Sequence, residues 1–176
     1  MLALGLATRD AIQSTTSLTP DLRWPNDVLI NKKKAAGIIA QLENSHSEAD
    51  AIIAGIGINV SQREFPPDLE TPGETPATSL ALELNTVGSP ITREELLITL
   101  ARLVDQYTGL IAKNPTLILD SFTAASSYAN GLRVHAEADG GTIEGVTCGL
   151  DPSGFLRVRE DNGTVVTILA GGVRPI

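Results

Sequence analysis

The chain has 176 residues, enough for one domain or one domain with a small appendage, and a chain of this length buries roughly 70% of its unfolded surface. Apolar residues make up 42% of it and aromatic residues only 3%, so the core is built from Ala, Leu, Ile and Val; a formal charge of −8 argues against broad nucleic-acid or anionic-membrane binding, which needs a positive surface field. The single cysteine, Cys148, excludes an intramolecular disulfide framework and a multi-cysteine zinc site, and no apolar run approaches the roughly 20 residues that span a bilayer, so the expected compartment is the reducing cytoplasm.

Residues 2–14 carry Leu2, Leu4, Leu6, Ala7, Ala11 and Ile12 mostly at helical spacing and predict a buried helix that starts at Met1 without a cap. The segment lacks a basic leader and runs straight into Thr8-Arg9-Asp10, so it does not read as a signal peptide. Pro20 closes this region. Residues 22–24 and 28–30 read as short strands on either side of a Pro25-Asn26-Asp27 turn. Residues 35–42 and 51–60 read as longer strands whose nearly continuous apolar character predicts burial on both faces, with a polar connection at 43–50. Pro66, Pro67, Pro72 and Pro76 make residues 62–77 an irregular, mobile surface loop.

A short helix is predicted at 78–84. Thr92-Arg93-Glu94-Glu95 is a capping box that opens a helix to about residue 112, with Leu96, Leu97, Leu100, Leu103, Val104 and Tyr107 on its buried face. Pro115 opens a further helix to about residue 125. From Leu132 the texture changes to alternating segments at 132–136, 142–150, 155–159 and 164–170, separated by turns at Asp139-Gly140-Gly141, Asp151-Pro152-Ser153-Gly154 and Asp161-Asn162-Gly163. Four or five short antiparallel strands in this span predict a small barrel and a boundary near residue 127.

The residues with chemical potential cluster early. The one Trp stands in Arg23-Trp24-Pro25-Asn26-Asp27, followed by Lys32-Lys33-Lys34 and later by Gly55-Ile56-Gly57-Ile58-Asn59. A lysine at the start of an apolar strand, across a hairpin from an Asn-Asp pair, presents one fixed positive charge beside donors and acceptors, an arrangement that suits phosphates. Asp27 is placed to hold Mg²⁺ or to orient the lysine. Gly37, Gly55 and Gly57 let a flat ligand lie against bare backbone, and Asn59 offers both a donor and an acceptor to a ring edge. Taken singly, each element has a plainer reading: a solvated lysine turn, a buried strand, an Asn-Asp turn. The glycine run is not a dinucleotide fingerprint, because a third glycine and a following helix are missing. Trp24 reads as core packing beside the turn, Cys148 as a small core residue, and His46 and His135 as structural or exposed.

In this order and spacing the residues resemble the biotin-protein ligase family, whose members carry Lys/Arg-Trp-Pro-Asn-Asp, a lysine seven residues after the Asp, a Gly-Ile strand and a later Gly-Ile-Asn strand. Here these are Arg23 to Asp27, Lys34, Gly37-Ile38 and Gly57-Ile58-Asn59. The tail resembles the family's SH3-like barrel through Gly131 to Val134, Gly145 to Gly154 and Ala170-Gly171-Gly172. The resemblance implies an α+β fold: part of a mixed-sheet, class II synthetase-like biotin/lipoate ligase domain at 1–127, with its N-terminal part absent, then a small SH3-like β-barrel at 128–176.

The resemblance also implies an ATP-dependent ligase that makes biotinyl-5'-AMP from biotin and ATP with Mg²⁺ and passes biotin to a lysine of the biotin carboxyl carrier protein of acetyl-CoA carboxylase. Carried over by position, Lys34 is the catalytic lysine that contacts the biotin carboxylate and the α-phosphate. Asn26 and Asn59 lie on the nucleotide side, Asp27 near the reacting phosphate, and Gly37, Ile39, Gly55 and Ile58 on the biotin wall. The family's Gly-Arg-rich loop and its ureido-ring contacts belong to the region before the matching one, so a truncated ligase is the expectation, with a homodimer among its possible assemblies and no membrane or nucleic-acid partner. The alternatives are a non-catalytic remnant acting as an interaction module, and a ligase for lipoate or another acyl group on the same fold.

Overall fold

The computed structural model describes residues 1–43, 51–66, 75–85, 92–138 and 141–176. Most of the predicted polar connection at 43–50, much of the proline-rich stretch and the Asp139-Gly140 corner lie outside the described residues.

Helix α1 (Leu2–Thr16) begins at Met1 with no side-chain cap, as expected, and stops at Ser17, whose left-handed backbone (φ 62°) returns its N–H to the Gln13 carbonyl. Strands β1 (Asp21–Arg23), β2 (Asp27–Ile30), β3 (Lys33–Glu43) and β4 (Ala51–Ile58) follow as a four-stranded antiparallel sheet in chain order. Arg23 pairs with Asp27, so the turn between β1 and β2 is Trp24-Pro25-Asn26, with a cis Trp24–Pro25 peptide. Asn31 and Lys32 form the corner between β2 and β3, both left-handed (φ 51° and 63°), the geometry that matches the twist of a tight hairpin. A parallel bridge between Lys34 and Ala77 lays the chain after the proline-rich stretch beside the start of β3.

Helix α2 (Leu80–Glu83) is one turn, capped by Ser79, whose hydroxyl accepts from the Leu82 N–H. Helix α3 (Arg93–Lys113) starts where the capping box predicts, with the Thr92 hydroxyl accepting from the Glu95 N–H at 3.1 Å. Leu96 and Leu103 are buried, but Leu97, expected on the same face, is exposed because it sits roughly 100° around the helix from Leu96, at the rim of the apolar stripe. Helix α4 (Pro115–Ala125) has Pro in its first turn and Asn114 as cap, and buries Ile118 and Phe122. Helix α1 packs on α3 and α4 on one side and on β1, β2 and β3 on the other.

The second sheet comprises β5 (Asn130–Ala138), β6 (Gly141–Leu150), β7 (Leu156–Arg159), β8 (Val165–Ile168) and β9 (Val173–Pro175), in the order β8-β7-β6-β5-β9 and antiparallel throughout. Strand β9 is a fifth strand that alternation alone did not mark. The expected barrel is not closed: among the described residues no ladder joins β8 to β9. The two sheets nevertheless share one apolar cluster, running from Leu6, Ile12 and Leu22 through Trp24 and Phe122 to Val134, Leu156 and Val158. Strand β1 ties them further: the Ser126 hydroxyl donates to the Leu22 carbonyl, and Asp21 accepts from the Ser127 N–H at 2.9 Å.

A further expectation fails. Burial on both faces holds for neither β3 nor β4 along its length, since Ile39 is 72% exposed, Leu42 56%, Ile52 71% and Ile53 60%. The hairpin runs beyond its cover: α1 packs on the near end of β3, where Ala36 and Ile38 are buried, and has no substantial contact with β4. No described helix is long and apolar enough to cross a membrane.

Candidate active site

Regular strand alternation would put Lys34 on the same face as Ala36 and Ile38, which is the core side. The ladder instead slips, with Leu29 facing Lys34 and Val28 facing Ala36, so Ala35 is an extra residue in β3 and the lysine is turned to the opposite face. Its side chain lies over Gly37: a β-carbon there would fall 3.1 Å from Lys34 Cε and 3.4 Å from Nζ. The bulge and the glycine together bring the ammonium to the open face of the sheet.

Asp27 meets it there. The carboxylate is buried at 9% exposure and stands between two cations. Lys34 Nζ lies 2.6 Å from Oδ1, a charge contact without hydrogen-bond geometry, while Arg23 donates to Oδ2 from Nη2 at 2.5 Å and from Nε at 3.2 Å. Arg23 Nη1 reaches on to the Thr75 hydroxyl. Two cations on one carboxylate leave positive charge facing the open side, where carboxylate or phosphoryl oxygens make charge-assisted hydrogen bonds.

A cavity of about 480 Å³ opens beside this group, with Lys34, Gly37, Gly57 and Asn59 on the sheet side and Phe65, Thr75 and Ala77 among its other walls. Gly37 and Gly57 face each other across β3 and β4, giving the cavity a floor of backbone. Ile39 and Gly55, the next pair on this face, continue it outward, and Ile39 leans over Gly55, with Cγ1 3.1 Å from where a β-carbon would sit. Ile58 does not join them. It pairs with Ala36 on the opposite face and packs on the core, so strand alternation removes it from the wall expected of it.

The two asparagines brace the site. Asn26 accepts from the Ile38 N–H at 2.9 Å through its carbonyl and donates from Nδ2 to the Ile38 carbonyl at 3.0 Å, locking the turn to β3 beside Gly37. Asn59 donates from Nδ2 to the Thr78 carbonyl at 2.9 Å, and its own carbonyl accepts from the Leu80 N–H at 2.9 Å, fixing the start of α2. Trp24 is core, as expected, at 4% exposure, and its indole N–H donates to the Gly154 carbonyl of the second sheet at 3.1 Å. Sequence reasoning missed Arg23 as a holder of Asp27, and Thr75 and Ala77 as cavity wall. The i,i+4 spacing of Arg23 and Asp27 across a turn was the available signal for the first; nothing in the sequence pointed to the other two.

Comparison with known proteins finds matches over both halves of the chain. Residues 1–59 match the Biotin/lipoate A/B protein ligase family and residues 131–173 the Biotin protein ligase C terminal domain. The chain is 32% identical over 184 residues to the biotin--[acetyl-CoA-carboxylase] ligase of Mycobacterium tuberculosis, covering 98% of this chain and 60% of the relative. It is 28% identical over 166 residues to the bifunctional ligase/repressor BirA of Bacillus subtilis, covering 92% of this chain and 48% of that protein. The Aquifex aeolicus biotin protein ligase in complex with biotin and ATP superposes with a TM-score of 0.81 at 27% identity, over 99% of this chain and 70% of that one. The matched segments define the class, a biotin/lipoate-type ligase region followed by a biotin protein ligase C-terminal region. Over nearly its whole length the chain is similar to biotin protein ligases, and it spans about half to three-fifths of the length of these two curated relatives.

Proposed function

We propose that the chain serves an ATP-dependent biotin-protein ligase, which joins biotin to AMP and transfers it to a lysine of the biotin carboxyl carrier protein of acetyl-CoA carboxylase. The observation that carries this reading is the Lys34 ammonium held by Asp27 above the Gly37–Gly57 floor, inside the segment that matches the ligase family. The named Aquifex relative binds both biotin and ATP.

In this mechanism Lys34 bridges the biotin carboxylate and the α-phosphate, lowering their mutual repulsion as they approach and stabilising the charge that grows on the phosphoryl oxygens. Arg23 and Asp27 keep the ammonium from wandering, so its entropy is already spent before ligand arrives. Gly37, Gly55 and Ile39 serve as the floor and wall for biotin; Asn26 and Asn59 hold the backbone on the nucleotide side. Both Asp27 oxygens face cations, which supports its orienting the lysine over its holding Mg²⁺, whose part would be to offset the charge of the triphosphate. The biotin carboxylate displaces pyrophosphate from the α-phosphate to give a mixed anhydride, and the acceptor amine then attacks its acyl carbon and releases AMP, a step that mainly needs the amine held close.

We divide the chain at residue 127, with residues 1–127 as part of the catalytic domain and 128–176 as an SH3-like C-terminal domain. A cytoplasmic location and a possible homodimer complete the proposal. The match of 131–173 to a biotin protein ligase region favours biotin over lipoate. Calorimetric titration of the chain with a non-hydrolysable biotinyl-adenylate analogue tests the reading, repeated with the relatives' preceding segment supplied in trans. Binding that is lost in Lys34→Ala supports it; no binding in either format, or binding indifferent to Lys34→Ala, overturns it.

A further inference from the structure

Outside the motif, the carboxylate of Glu83 at the end of α2 gathers segments that meet at Lys34. Its side chain is 6% exposed. It accepts from Asn31 Nδ2 at 2.5 Å and from the Thr78 hydroxyl at 2.5 Å, and Lys33 Nζ lies 3.4 Å away. Asn31 belongs to the left-handed corner that launches β3, and Lys33 directly precedes the lysine. Thr78 donates its N–H to the Lys34 carbonyl at 2.9 Å, and two residues earlier the Pro76 carbonyl accepts from the Lys34 N–H at 2.8 Å. One carboxylate therefore holds the corner before Lys34 and the chain that pairs with it.

A bulge needs such a clamp. If the extra residue were absorbed and β3 returned to regular pairing with β2, every side chain before it would change face, and Lys34 would turn toward Ala36 and Ile38. Nothing in a one-turn helix requires a buried carboxylate at its last residue, and burying one is costly unless it is fully hydrogen-bonded. The cost is met by Asn31 and Lys33, a few residues before the bulge, and by Thr78, whose N–H pairs with the Lys34 carbonyl. We propose that Glu83 is a positioning residue that fixes the register of the β3 bulge and so aims Lys34 at Asp27 and the cavity. The inference depends on the ligase reading for the use made of Lys34 and not for its geometry.

The test compares the full chain with its Glu83→Ala and Glu83→Gln variants by NMR, reading the Lys34 Cε–H resonances and the amide exchange of Lys34 and Thr78. In Glu83→Ala the Lys34 resonances move toward those of the exposed Lys32, and the two amides exchange on the order of tenfold faster or more, while amides of α1 and α3 keep their protection. Glu83→Gln retains a carbonyl acceptor for Thr78 and restores part of both signals. An unmoved Lys34 signature, or faster exchange spread evenly over the chain, overturns the proposal. Should Glu83→Ala fail to fold, Thr78→Val and Asn31→Ala each delete one arm of the clamp and are read in the same way. Ligand titration of Lys34→Ala reports separately: indifference there sinks the ligase role of Lys34 and leaves the Glu83 assignment standing, whereas an unmoved Lys34 resonance does the reverse.

Discussion

The Lys34 side chain occupies the space beside Gly37 that a β-carbon would enter, with Cε 3.1 Å from that position. The backbone of Gly37 is ordinary strand, so alanine fits the main chain and only the lysine must give way. Gly37→Ala is expected to leave stability within about 0.5 kcal/mol of wild type. It should weaken adenylate-analogue binding on the order of tenfold, about 1.4 kcal/mol. Paired denaturation and calorimetry check this; a large loss of stability with unchanged affinity would mean that Gly37 is needed for folding alone.

Trp24 is the chain's only tryptophan, and it sits on the junction between the two sheets. Trp24→Phe leaves the buried Gly154 carbonyl without its donor and is expected to cost about 1 to 3 kcal/mol. Urea denaturation measures it. In the wild-type chain, intrinsic fluorescence reports directly on this contact, so its change should coincide with the loss of far-ultraviolet circular dichroism.

Leu42 and Ile52 pair across β3 and β4 on the face that covers the core near Ala36 and Ile38, yet both are exposed. Such a surface associates with itself. Replacing the pair by Leu42→Lys and Ile52→Glu should lower the sedimentation-detected association of the isolated chain and its binding of apolar dyes, with stability changed by no more than about 0.5 kcal/mol. A wild-type chain that stays monomeric at high concentration contradicts this.

Burial raises the Glu83 carboxyl, but hydrogen bonds from Thr78 and Asn31 and the charge of Lys33 outweigh it, leaving the group below its ordinary value of 4.5. The folded chain thus holds the ionised form more firmly than the unfolded chain does. Its contribution is complete above pH 4.5 and is lost as pH falls through the lowered native value. Urea midpoints measured from about pH 6 down to about pH 3 should fall more steeply in wild type than in Glu83→Gln; parallel curves would show that the group titrates alike in both states.

Much of this was legible in the sequence. Helices α1, α3 and α4 declared themselves through apolar spacing and through Thr92 and Pro115 at their starts, and the Trp24-to-Lys34 and Gly55-to-Asn59 runs contain Lys34, Gly57 and Asn59 of the cavity wall. What stayed hidden depends on pairing between distant segments. The bulge at Ala35 is decided by which residue of β2 faces which of β3, and it alone determines the face on which Lys34 emerges. Ile58 followed its parity to the core against a motif-based expectation, and β9 is too short to show alternation. The exposure of Ile39, Leu42, Ile52 and Ile53 was unreadable because an apolar strand looks the same whether or not a layer lies over it.

Four consecutive residues at the start of the first sheet each grip a different part of the molecule: Asp21 takes Ser127, Leu22 takes Ser126, Arg23 takes Asp27, and Trp24 takes Gly154. One short stretch of chain therefore carries both the attachments of the second sheet and the arginine that holds the carboxylate beside Lys34.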